Sequence, residues 1–77
     1  MIRCRIKVLD KYISDEEHSF WIEGGLPYLP RKGDLMSRDL NTHIEEYSIY
    51  YVEHCLASTN EFVFIEIGVH SSNIVKK

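Results

Sequence analysis

Two cysteines and four histidines are the reactive side chains of this chain, and their spacing decides what chemistry they can share. His54 and Cys55 are neighbours, but adjacent residues of a strand point to opposite faces, so the pair does not converge on one ion. No Cys-x-x-Cys or His-x-x-x-His spacing preorganises a metal site, and His18, His43 and His70 would have to meet from separate segments. Cys55 as a nucleophile needs a histidine and a cleft, and so small a domain rarely encloses a pocket of ~300 Å³ or more. Glu45, Glu46 and Glu53 offer paired carboxylates, yet no glycine-rich or aromatic sugar-binding frame accompanies them. Gly24-Gly25 precedes no helix and so builds no phosphate cradle. The sequence therefore assigns no catalytic residue, no metal ligand and no cofactor, and Cys4 and Cys55 read as small buried hydrophobes.

What stands out instead is aromatic content, at 12% of the residues. Phe20-Trp21 and Tyr50-Tyr51 are adjacent pairs in strand-like runs, so one member of each is expected outside the core. Exposed Trp and Tyr provide large contact area at low entropy cost. Tyr28 sits in a proline-stiffened stretch, where binding groups often lie. Trp21, Tyr28, Tyr50 and Tyr51 are therefore the candidate partner-binding residues. The alternative is a second layer, formed near Ile44, that covers both aromatic sets.

Short strands must position these groups. In residues 2–9, Ile2, Cys4, Ile6 and Val8 alternate with Arg3, Arg5 and Lys7, the pattern of a half-buried strand with a wet outer face. Residues 10–18 are polar and acidic and read as a loop. Residues 19–23 form a second strand that stops at Gly24-Gly25, where positive φ carries no Cβ penalty. In "LPYLPRKGDLM", residues 26–36, the prolines impose an extended approach, residues 31–34 fit a tight turn, and Leu35-Met36 begins a strand. Residues 38–46 read as a single helical turn or an irregular loop, with Asp39 as a cap. Residues 47–57 and 62–69 form a hairpin around the turn at 58–61. In the return strand Val63, Ile65, Ile67 and Val69 share one face and Phe62, Phe64 and Glu66 the other, which suits a central strand. The tail at 71–77 reads as loose, with Ile74-Val75 as an edge pairing.

A length of 77 residues supports one hydrophobic core, hence a single domain over 1–77. Net charge is −3 and no basic run occurs, which disfavours nucleic acid as a partner. No apolar run reaches the roughly 20 residues of a membrane helix. Charged residues interrupt any leader-like segment after Met1, and the expectation is a cytoplasmic protein with reduced thiols. Spacing alone does not support a disulfide between Cys4 and Cys55.

Pro30, Gly33, Asp34 and Leu35, followed by Tyr50-Tyr51-Val52 and the apolar run 63–67, resemble the turn and strands of the small SH3-like β-barrels of bacteria and phages. The resemblance covers roughly the second half of the chain. It implies an all-β barrel of about five strands that serves as a binding scaffold without catalytic residues. Segment 38–46 is longer than the connection usual in that family. The expected role is a non-catalytic module that binds a protein or assembles with itself as a homo-oligomer. One alternative is a nucleic-acid-binding barrel using Arg3, Arg5, Lys7, Arg31 and Lys32 with stacking aromatics. Another is a small-molecule or nucleotide site between subunits of an oligomer.

Overall fold

The computed structural model describes residues 1–9 and 19–76, so the loop expected at 10–18 lies outside the described residues. Five strands form one mixed sheet: β1 (Cys4–Val8), β2 (Ser19–Trp21), β3 (Leu35–Asp39), β4 (His43–Leu56) and β5 (Phe62–Lys76). Their order is β2-β1-β5-β4-β3, and no helix occurs among the described residues. β5 is the central strand, as its two apolar faces require. It runs parallel to β1, with Cys4 beside Ile65, Ile6 beside Ile67 and Val8 beside Val69. The other pairings are antiparallel.

The core follows from this register. Cys4, Ile6, Val8, Ile65, Ile67 and Val69 are buried together with Tyr47 and Ile49 of β4. Phe20, Ile22, Leu26, Met36 and Val52 pack around them half-buried. The alternation of β1 is as the sequence requires: Cys4, Ile6 and Val8 point in, while Arg5 and Lys7 point out. Phe20 packs on Tyr47 inside, at 6.4 Å between ring centres, and Trp21 lies outside.

β2 and β3 are the two edges, so backbone pairing does not close the described sheet into the expected barrel. The sheet does curl until its edges touch through side chains, with the Arg38 guanidinium of β3 3.8 Å from the ring centre of Phe20 in β2. Five strands alternating in direction can form a ring only with one parallel neighbour pair, and β1 beside β5 is that pair. The seam between β2 and β3 is spanned by the chain that joins them, residues 22–34. Leu26 exchanges two backbone hydrogen bonds with Ile2, each 2.7 Å. Gly25 allows that approach, because a Cβ there would meet the Ile2 carbonyl oxygen at 2.4 Å.

Three expectations are corrected. Residues 38–46 are neither helical turn nor irregular loop but the end of β3, a tight turn, and the start of β4. The turn forms because Asn41 takes a φ of 74° while its amide donates to Asp39 Oδ1 at 2.9 Å. The local pairing preference of Asp and Asn thus outweighs the three-and-four spacing of Leu40, His43 and Ile44. β4 accordingly begins at His43, four residues before the expected strand start. The tail is not loose: β5 continues to Lys76, with Ile44 opposite Val75 and Glu45 opposite Ile74. The turn at 31–34 forms as expected, with the Asp34 amide donating to the Arg31 carbonyl and the Arg31 amide to Asp34 Oδ2, both at 3.0 Å. The 58–61 turn also forms, using Asn60 at a φ of 67°.

Candidate interaction surface

On the outer face of the sheet, β1, β2, β4 and β5 bring one charged and aromatic network together. Arg5 lies opposite Trp21 on one side and Glu66 on the other. Its guanidinium pairs with Glu66 Oε1 and lies 5.0 Å from the Phe64 ring centre and 5.7 Å from that of Trp21. Trp21 meets Phe64 edge-on, with ring centres 5.0 Å apart, and Arg3 covers its other side at 4.3 Å. Arg5 Nε is buried without a hydrogen-bond acceptor among the described residues, on a guanidinium that pairs with Glu66 and lies beside the Phe64 and Trp21 rings. Trp21 is thus clamped on three sides while 44% of its surface stays exposed.

Glu66 is the hinge of the network. It is only 9% exposed although it faces outward. The Tyr51 hydroxyl donates to Glu66 Oε2 at 2.8 Å, so each carboxylate oxygen has a partner. Burial pushes the Glu66 carboxyl up, but hydrogen bonds from Arg5 and Tyr51, with the charges of Arg5 and Lys7, outweigh it and hold the carboxyl below its ordinary range. The reciprocal effect raises the Tyr51 phenol to about 12, through burial first and then its bond to Glu66. The Tyr51 ring lies flat against Gly68, where a Cβ would meet its Cε2 at 2.1 Å. Glycine in the middle of β5 is therefore a space requirement for Tyr51, not a turn.

Tyr50 and Tyr51 depart from the alternation expected of a regular strand. A bulge lies between Ile49 and Tyr51, which oppose Val69 and Gly68, consecutive residues of β5. The extra residue restores the inner face at Val52 and leaves both tyrosines outside the core, their ring centres 6.4 Å apart. Tyr50 is 52% exposed, with His70 edge-on at 5.0 Å and Lys32 Nζ 5.0 Å from its ring centre. Trp21, Tyr51 and Tyr50 thus belong to one stripe across the sheet, linked through Arg5 and Glu66.

Tyr28 is elsewhere. It lines a groove of about 420 Å³ at the β2–β3 seam with Leu26, Pro27, Pro30, Leu35 and Met36. The stretch "LPYLPRKGDLM" therefore both turns the chain and builds an apolar concavity, a dual role the turn residues alone do not reveal.

Sequence reasoning named Arg5 only for the nucleic-acid reading and missed Phe64, Glu66 and Gly68 as members of the surface. The signals were a lone glutamate inside an apolar run, which demands a partner, and a glycine inside a strand, which marks a close approach. Cys4 lies in the core and Cys55 is half-buried, and both are free thiols. Burial raises the Cys4 thiol; burial and the nearby Glu53 and Glu66 raise that of Cys55. Neither is therefore poised as a thiolate nucleophile. Among the described residues no three His, Cys, Asp or Glu side chains cluster as metal ligands, and no helix is long and apolar enough to cross a membrane. No protein-family model matches the chain, nor does any curated protein or solved structure.

Proposed function

We propose that this chain is a non-catalytic interaction module that binds a protein partner through the outer face around Trp21. The observation that carries the reading is the clamping of a 44% exposed tryptophan between Arg3, Arg5 and Phe64. An aromatic anchor already held in one pose loses little freedom on binding, and such residues dominate the energetics of protein interfaces. Tyr50 and Tyr51 extend the surface, and Arg3 supplies a cation at its rim. We read the curled sheet as an SH3-like scaffold left open between β2 and β3, on the support of its five strands and the Arg38–Phe20 contact across the seam.

Nucleic acid is the second reading, favoured by the stacking of Arg3 on Trp21. Its weakness is that Glu66 matches the charge of Arg5, which leaves fewer cations for phosphates than the basic triplet suggests.

Affinity capture from a lysate of the source cells tests both. The same protein recovered after nuclease treatment by wild type and by Tyr28→Ala, but lost with Trp21→Ala, supports the proposal. Recovery that disappears with nuclease supports the second reading. Equal recovery by wild type and Trp21→Ala overturns the placement of the surface.

A further inference from the structure

Beside Trp21 lies a cleft of about 310 Å³ that the aromatic stripe does not use. Its walls are Met1, Arg3, Trp21, Ile22, Gly24 and Gly25, so a single charged side chain faces it. Two cations border Trp21, and they stand in different states. Arg5 is half-buried and its charge is matched by Glu66. Arg3 is exposed, lies over the Trp21 ring at 4.3 Å, and pairs with no carboxylate among the described residues. A guanidinium that lies over a ring keeps its N–H donors in its own plane, open to a carboxylate from outside.

The charge count selects the ligand. One guanidinium matches one carboxylate. A phosphoryl group carries a charge of about −1.5 to −2 and calls for several cations, and a nucleic-acid strand repeats its charge at every nucleotide. No second Lys or Arg lines the cleft. The loop backbone is engaged in its own structure, with the Gly25 amide donating to the Ile22 carbonyl at 3.1 Å and the Leu26 amide to the Ile2 carbonyl at 2.7 Å. Capture of a chain terminus uses free backbone amides, so an acidic side chain within a segment fits better than a terminal carboxylate. Ile22 and the exposed part of Trp21 supply apolar walls for the residue beside it.

We infer that the cleft takes a Glu or Asp side chain of the protein partner, paired with the Arg3 guanidinium, while an adjoining apolar residue of the same segment packs on Trp21 and Ile22. The inference rests on the reading of the Trp21 face as a protein-binding surface, and it adds the chemistry which that surface selects. Trp21 supplies contact area and Arg3 supplies the choice of charge. Removing the Arg3 charge or the partner's carboxylate loses the same pair, so the two changes are not additive.

Selection of random tryptophan-free peptides, displayed as internal segments, against the full chain tests the inference. Arg3→Gln, at an exposed position, is the comparison once circular dichroism confirms its fold. Wild type should enrich peptides with an acidic residue next to an apolar one, and their binding should shift the emission of Trp21, the single tryptophan. In a selected peptide, replacing the acidic residue by its amide should weaken binding to wild type about tenfold or more, and to Arg3→Gln by no more than about twofold. Peptides that shift the Trp21 emission without an acidic preference overturn the inference and leave the protein-binding reading standing. So does equal sensitivity to the amide in wild type and Arg3→Gln. Peptides that bind without shifting the emission, or no enrichment at all, overturn both. Binding of single-stranded oligothymidine that Arg3→Gln removes also overturns the inference, in favour of a nucleic-acid face.

Discussion

The two faces of β5 are built on the same strand, one residue out of step, yet they are held by different physics. Ile65, Ile67 and Val69 face inward and are almost fully buried among Cys4, Ile6, Val8 and Ile49. Phe64, Glu66 and Gly68 face outward and are covered by Trp21, Arg5 and Tyr51. The inner face is stabilised by removal of apolar area from water and depends little on direction. The outer face depends on direction throughout: the guanidiniums of Arg3 and Arg5, the Glu66 carboxylate, the Tyr51 phenol and the rings of Trp21 and Phe64 each fix the next. The inner face accounts for the fold, whereas the outer face leaves an ordered tryptophan in solvent, which folding does not require.

The comparison is broken most severely from the inside. Ile67→Ala should destabilise by about 2–5 kcal/mol in urea unfolding, because the cavity opens in the middle of the central strand. Gly68→Ala, on the outer side of the next residue, should cost about 1–3 kcal/mol. The added methyl must displace the Tyr51 ring, so the variant should also lose the high phenol titration, measured by absorbance against pH. Arg5→Met should cost about 1–2 kcal/mol, less than for a buried pair because the guanidinium is partly solvated. A loss as large as that of Ile67→Ala would mean that the outer network carries the fold. Tyr51→Phe should cost least, about 0.5–1.5 kcal/mol, the net worth of an ordinary hydrogen bond, because the Glu66 carboxylate keeps its Arg5 partner.

Acidity sharpens the same contrast. The Glu66 carboxyl is held below its ordinary value of 4.5, so its contribution to stability is complete above that pH and is lost as pH falls through the folded value. Wild type should therefore lose stability in acid more steeply than Glu66→Gln, measured by thermal unfolding between neutral pH and acid. The Tyr51 phenol shifts the other way, from 10 to about 12, so its contribution is present below pH 10 and is lost as pH rises through about 12. Ile67→Ala should leave the shape of the acid profile unchanged, since no carboxylate stands among the buried residues Cys4, Ile6, Val8, Ile49, Ile65 and Val69 that share its core.

The inner face was legible in the sequence because period-two alternation is a property of the strand itself. Cys4, Ile6 and Val8, then Ile65, Ile67 and Val69, needed only that rule. Two features escaped it for physical reasons. The bulge at Tyr50 adds a residue without any local signature, so the alternation of β4 shifts and both tyrosines leave the core together. Pairing at Ile74-Val75 was expected, but its extension over residues 71–76 and its partner at the start of β4 depend on the tight turn at Asn41, because a strand edge is defined by its neighbour. The exposure of Trp21 was legible from its place beside Phe20, but its clamp was not. That clamp joins Arg5 to Glu66, 61 positions apart in the chain, through a parallel pairing that only the fold supplies.

Trp21 is the single tryptophan, so its fluorescence reports on the proposed surface without labels. The decisive measurement is its emission and its quenching by acrylamide, with and without the partner recovered by capture. If the outer face is the binding surface, binding shifts the emission to the blue and protects it from acrylamide. Binding that leaves both unchanged would contradict the account.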